Sequence, residues 1–149
     1  MLLKDVCVLE VVSCGRDTRI SEAAQLMRER HCGDLVVVDD PRGERVPAGI
    51  LTDRDIVVEV LGKGLDPATT TVAEVMTRTL AIALDTEGTD VAIERMRQHG
   101  VRRLPVVNHA GGLVGIFTLD DALRLNATHA LELIDVAAKG LEHERRTRR

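Results

Sequence analysis

The sequence predicts a mixed α/β (α+β) fold in which two strand–helix–strand–strand–helix repeats pack about a pseudo-twofold axis. Three observations predict it. The first is a heptapeptide, glycine–two apolar residues–threonine–two variable residues–aspartate, that occurs twice. It reads GILTDRD with Gly49, Thr52 and Asp55, and GIFTLDD with Gly115, Thr118 and Asp121, each position recurring 66 residues on. The second is an upstream alignment at 69 residues, pairing Val6 with Val75, Met27 with Met96, Leu35 with Leu104 and Val38 with Val107. A longer turn in the first copy, DPRGERVPA against HAGGLV, absorbs the difference. The third is that helical and strand periodicities alternate in the same order in both copies. Neither half is large enough to cover both faces of its own sheet, so the two should stack.

The elements follow in order. ISEAAQLMRERH (20–31) places Ala23, Ala24 and Met27 on one apolar stripe at helical spacing, with Thr18 and Ser21 as start signals. LVVVDD (35–40) is a β-branched run that enters a turn at Pro41 and Gly43, and VPAGILT (46–52) is the returning strand. DRDIVVEVLGKG reads as a helix stopped by Gly62 and Gly64. In the second half Thr89 can cap a helix over DVAIERMRQHG that ends at Gly100. The strands LPVVN and LVGIFT flank the turn HAGG, and LDDALRLNA begins a further helix. The expected division is a first domain at 1–64, a linker at 65–73 that includes LDPATTT, a second domain at 74–128, and a C-terminal helical extension with a basic tail at 129–149.

Composition narrows the function. At 149 residues and 44% hydrophobic, the chain can bury an ordinary core, and no stretch approaches the roughly 20 apolar residues of a membrane span. The start MLLKDVCVLE is broken by Lys4, Asp5 and Glu10 and makes a poor signal peptide. Cys7, Cys14 and Cys32 are odd in number and lack metal-type spacing, which suits small thiols in a reducing cytoplasm. A net charge of −4 and a single aromatic residue, Phe117, argue against nucleic-acid binding, which rests on phosphate neutralisation and stacking. The five histidines (His31, His99, His109, His129, His143) show no His-x-x-x-His or His-plus-Cys spacing, so no catalytic constellation is expected and the chain reads as non-enzymatic.

The two heptapeptides, each after a matching helix and a short strand of the Leu-Pro-Val-Val type, resemble those of a tandem pair of CBS domains, the Bateman module, over roughly residues 1–128. The resemblance implies a regulatory module that binds an adenine nucleotide or adenosyl ligand between the two domains: AMP, ADP or ATP, with NAD and S-adenosylmethionine also in the family's range. No cofactor is required. It also implies a homodimer, since such pairs commonly form a flat disc, and a protein partner that the sequence does not identify.

Thr-x-x-Asp admits two readings. A threonine followed three residues later by an acid is nearly a helix capping box, which alone would explain Thr52/Asp55 and Thr118/Asp121. It does not explain Gly49 and Gly115, where a missing side chain lets something approach the backbone closely. An aspartate there can accept hydrogen bonds from both hydroxyls of a ribose, and the threonine can hold a phosphate or sugar oxygen. In the second half Arg102 and Arg103 precede the strand, where the family often has basic residues facing phosphates, and Pro105 matches its usual proline. The first half has Gly33, Asp34 and Val36 at those places, with Arg54 beside Asp55 as an offset to Asp34. The expectation is therefore a second site better equipped than the first. The arginines otherwise read as solvated helix-end charges.

Past the second repeat, Leu123, Ala127, Ala130, Leu131, Ile134, Ala137, Ala138 and Leu141 form a stripe on a long helix. Such a face must be buried on the chain's own body or on a second copy. The alternative to a ligand sensor is a structural or partner-binding dimer whose ligand sites have decayed.

Overall fold

The two apolar stripes wind into matching helices, α1 (Ile20–Arg30) and α4 (Thr89–His99), which bury Ile20, Ala23 and Met27 in one half and Ala92 and Met96 in the other. The computed structural model describes residues 1–40, 43–78 and 80–148. Each half carries one three-stranded sheet. In the first, β1 (Ser13–Cys14) runs parallel to β2 (Asp34–Asp39), which pairs antiparallel with β3 (Val46–Thr52). In the second, β4 (Ala83–Leu84) runs parallel to β5 (Arg103–Val107), which pairs antiparallel with β6 (Leu113–Thr118). The register slips at Val37/Val38 and again at Val106/Val107, equivalent places in the two halves. The predicted turn at Pro41 lies outside the described residues. The observed elements and sheets are those of the predicted mixed α/β fold.

The helix starts differ from expectation. Thr18 and Ser21 do not cap α1: its N-cap is Arg19, without a side-chain hydrogen bond, and the Thr18 hydroxyl instead accepts the Gly15 amide at 3.2 Å. Thr89 is the first residue of α4, and Gly88 is the N-cap. The free amides are met from the other half. Ile20 N–H donates to Thr70 O and Thr89 N–H donates to Met1 O, both at 3.0 Å. These pairs are equivalent under the 69-residue offset, as are Val72 N–H to Thr18 O (2.8 Å) and Leu3 N–H to Glu87 O (2.9 Å). An orphan amide at a helix start must find some acceptor, and here a backbone carbonyl replaces the side chain.

The two halves have thus exchanged their leading segments. Leu3, in a short 3-10 turn at Leu3–Asp5, is fully buried in the core of the second half with Ala83, Leu104 and Phe117. Val72 and Met76, from the short helix α3 (Val72–Val75) and its end, lie in the core of the first half with Ile20, Leu35 and Leu51. Fully burying side chains of this size stabilises the fold by about 1.5–3 kcal/mol each. A third cluster of Val36, Leu113 and Ile116, flanked by Val11 and Val38, joins the two sheets.

The helices after the heptapeptides diverge. DRDIVVEVLGKG forms α2 (Asp53–Asp55) and then π-helical winding over Ile56–Leu61, with Gly62 N–H reaching back to Val57 O. Its β-branched run (Ile56, Val57, Val58, Val60) loses side-chain freedom against the preceding turn, which weakens the preference for α winding. Gly62 keeps right-handed geometry, and the reversal falls on Gly64 at φ 68°. Its counterpart α5 (Leu119–Thr147) is a regular helix of 29 residues that buries only Ala122. Leu123, Leu131, Ile134 and Leu141 along its stripe are all exposed. Among the described residues no helix is long and apolar enough to cross a membrane.

Candidate functional site

Both Thr-x-x-Asp motifs sit where a strand turns into a helix, and both form complete capping boxes. In the first, Thr52 N–H donates to Asp55 Oδ2 at 2.9 Å and Asp55 N–H donates to Thr52 Oγ1 at 3.1 Å. In the second, Asp121 Oδ2 accepts the Thr118 amide at 2.9 Å and the Thr118 hydroxyl at 2.6 Å, and Thr118 Oγ1 accepts the Asp121 amide at 3.2 Å. The remaining oxygens differ. Arg124 donates to Asp121 Oδ1 at 3.2 Å, whereas Asp55 Oδ1 receives no hydrogen bond from the described residues. Capping consumes one carboxylate oxygen and leaves the other of Asp55 open.

The glycines have a different explanation from the one expected. A Cβ on Gly49 would stand 2.7 Å from Thr77 O and 2.8 Å from Met76 Sδ; one on Gly115 would stand 2.6 Å from Cys7 Sγ and 2.8 Å from Val8 O. The approaching groups belong to the exchanged leading segments, which bridge β3 through Ile50 and Thr77 and β6 through Ile116 and Val8. Close approach at Gly49 and Gly115 is therefore made by the chain itself. Their missing side chains make room for these segments.

Among the described residues, two clefts open between the halves. The larger, about 230 Å3, is lined by Ile50 and Thr52 from the first half and by Thr77, Leu80, Ala81, Val101, Arg102 and Arg103 from the second. The smaller, about 130 Å3, is lined by Glu10, Val11, Val12, Cys32 and Asp34 from the first half and by Ile116 and Thr118 from the second. Ile50/Ile116, Thr52/Thr118, Leu80/Val11, Ala81/Val12, Val101/Cys32 and Arg103/Asp34 are duplication partners, so the clefts are images of one another.

This arrangement regroups the predicted residues. The sequence placed Arg102 and Arg103 with Thr118 and Asp121; the structure brings them to Thr52, beside which Asp55 stands. The cause is the stacking of the two sheets. Arg103 lies opposite Thr118 in the β5–β6 ladder, and the first half packs against it so that its long side chain reaches the cleft with Thr52. There it meets its own duplication partner, Asp34, with Arg103 Nη1 3.4 Å from Asp34 Oδ1. Arg54 is exposed, and Pro105 is buried in β5 and lines neither cleft.

The apolar walls went unremarked in the sequence: Ile50, Leu80, Ala81 and Val101 in one cleft, Val11, Val12 and Ile116 in the other. Applying the 66- and 69-residue offsets to any one wall residue would have found its twin. Burial pushes the Cys14 thiol up to about 11 and raises Cys7 as well, so both are protonated at neutral pH. Among the described residues no group of three or more His, Cys, Asp or Glu is placed to hold a metal ion.

Comparison with known proteins agrees with this fold. The CBS domain model matches residues 3–62 and 72–127. The CBS domain-containing protein YhcV of Bacillus subtilis is 36% identical over 119 residues, covering 80% of this chain and 81% of that protein. Hypoxic response protein 1 of Mycobacterium tuberculosis is 35% identical over 128 residues, covering 86% and 87%. A Methanopyrus kandleri protein is 33% identical over 121 residues, which is 81% of this chain but 60% of that relative's length. Among solved structures, Hypoxic Response Protein I with two coordinated zinc ions superposes with a TM-score of 0.72 at 35% identity, covering 83% of this chain and 98% of that one. The CBS pair of protein MJ0100, in complex with 5'-methylthioadenosine and S-adenosyl-L-methionine, gives 0.74 at 27% identity and covers 87% and 98%. A CBS domain protein of Pyrobaculum aerophilum complexed with AMP gives 0.71 at 26% identity and covers 81% and 89%.

Proposed function

The chain belongs to the CBS-domain family as a tandem pair, and from that premise we propose that it is a non-enzymatic sensor that binds an adenine nucleotide or adenosyl ligand in the larger cleft. The observation that carries this reading is the make-up of that cleft: an apolar wall, two arginines, and Thr52, whose capping partner Asp55 keeps one carboxylate oxygen open beside it, drawn from both halves. Ile50, Leu80, Ala81 and Val101 offer adenine a dry slot. Asp55 Oδ1 is free to accept the ribose hydroxyls, and the Thr52 hydroxyl and Arg102/Arg103 can take the phosphates. The volume lies just under the usual ~300–1,000 Å3 of small-molecule pockets, which suits a nucleoside whose phosphates extend toward solvent at the arginines. AMP, ADP and ATP fit this charge pattern best. NAD shares the adenosine and phosphates; S-adenosylmethionine shares the adenosine and brings a positive sulfonium.

A ligand bridging the halves favours the arrangement in which it touches both, which is how binding would be reported. A homodimer is part of the reading, supported by the bare stripe of α5 and by Val57, the duplication partner of Leu123, which is equally exposed. The partner that receives the signal would be a protein. Three free cysteines suit the cytoplasm. The second reading, a structural or partner-binding dimer with decayed sites, draws support from the acidic, smaller cleft. Calorimetric titration with AMP, ADP, ATP, NAD and S-adenosylmethionine separates the two: the sensor binds at least one at about one equivalent per chain, and the structural dimer binds none.

A further inference from the structure

Asp34 and Arg103 occupy the same position in the two repeats, carry opposite charges, and meet across the pseudo-twofold axis. Each also lines a different cleft: Arg103 the one with Thr52, Asp34 the one with Thr118. We propose that this pair couples the two clefts, so that the chain holds a single phosphate-bearing ligand, in the Thr52 cleft, and that its binding draws Arg103 away from Asp34. The inference rests on the adenine-nucleotide reading above and adds its stoichiometry and regulation.

The contact itself is poised for exchange. It is a single approach of 3.4 Å, not a bidentate fork, and the two side chains are 29% and 27% exposed. A pair this open to water is weak, and a phosphate with more charge and more acceptor oxygens than a carboxylate competes for the guanidinium. Once Arg103 turns to phosphate, Asp34 is left uncompensated in a cleft that also holds Glu10 and lies beside Asp121. A second phosphate there meets Glu10 and Asp34, the two charged side chains of its lining. The smaller cleft is thereby closed to anions when the larger is filled, and an uncharged or cationic ligand is favoured in it instead. Binding energy at one cleft includes the cost of breaking the pair, so removing Asp34 should strengthen it.

The test is calorimetric titration of ATP and adenosine into the full chain, the Asp34→Asn and Arg103→Ala variants, and the double variant. Expected are one ATP per wild-type chain and an ATP affinity about two- to fivefold higher in Asp34→Asn, the factor a partly exposed ion pair carries. Adenosine affinity should not change. In the Arg103→Ala background Asp34→Asn should have no effect, because the coupling needs both partners. Two ATP per wild-type chain, or an Asp34→Asn effect that is absent or survives in the Arg103→Ala background, overturns the inference while the nucleotide reading stands. A wild-type chain that binds neither ATP nor adenosine removes both. Melting temperatures of the same samples confirm folding, and Asp34→Ser supplies the comparison should Asp34→Asn be unstable.

Discussion

Glu87 performs at one position what Thr18 performs at its duplication partner. Its Oε2 accepts the Leu84 amide at 2.9 Å, as the Thr18 hydroxyl accepts that of Gly15. Being longer, Glu87 also reaches Arg95 on α4, whose Nη2 donates to Oε1 at 2.7 Å while Nη1 donates to Ile82 O at 2.9 Å. The Arg95 hydrogen bond, opposed by partial burial, holds the Glu87 carboxyl below its ordinary value of 4.5 and raises Arg95. A carboxyl whose pKa is lower when folded than when unfolded contributes stability above the unfolded value and loses it as pH falls through the folded one. Replacing Glu87→Gln should therefore cost about 1 kcal/mol at neutral pH, with the gap to wild type closing below pH 4.5. Denaturant unfolding of both proteins at pH 7 and in acid measures this; a gap that does not change with pH would assign the cost to packing.

At the scale of elements, α1 and α4 show what periodicity carries and what it omits. Their stripes were legible because Ala23/Met27 and Ala92/Met96 repeat at helical spacing. Their caps were not, because the acceptors are Thr70 O and Met1 O, far away in the chain. The C-caps are also unlike: Gly100 takes the left-handed geometry at φ 63°, and His31 takes it at φ 53° without a glycine's freedom. The sequence reads the segment after the first heptapeptide as a helix stopped by Gly62 and Gly64, yet its β-branched run winds as π. α5 matched its expected stripe and leaves Leu131, Ile134 and Leu141 at 68%, 64% and 62% exposure. In the homodimer reading a second copy covers them. A chain truncated after Asn126 should then lose its dimer in light scattering while retaining the folded pair. An unchanged dimer would place the interface elsewhere, on the surface that includes Val57, Val58 and Leu61.

Across the whole molecule, exchange of the leading segments makes each half incomplete without the other. Leu3 and Val72 are duplication partners, each buried in the opposite core. The duplication was legible in sequence, and so were the two Thr-x-x-Asp boxes. Their grouping was not: chain proximity put Arg102 and Arg103 with Asp121, and only the stacking of the sheets carries those side chains over to Thr52. What approaches Gly49 was hidden for the same reason, since it comes from Met76 and Thr77. A ligand seated between Asp55 and the two arginines is tested by comparing ATP affinity in Asp55→Asn and Asp121→Asn by calorimetry. Asp55→Asn removes the charge expected to hold the ribose and should weaken ATP by about 1.5–3 kcal/mol, roughly tenfold to over a hundredfold. Asp121→Asn, whose Oδ1 is already taken by Arg124, should leave the affinity within about twofold of wild type. The reverse pattern, with Asp121→Asn losing ATP and Asp55→Asn keeping it, would place the ligand in the other cleft.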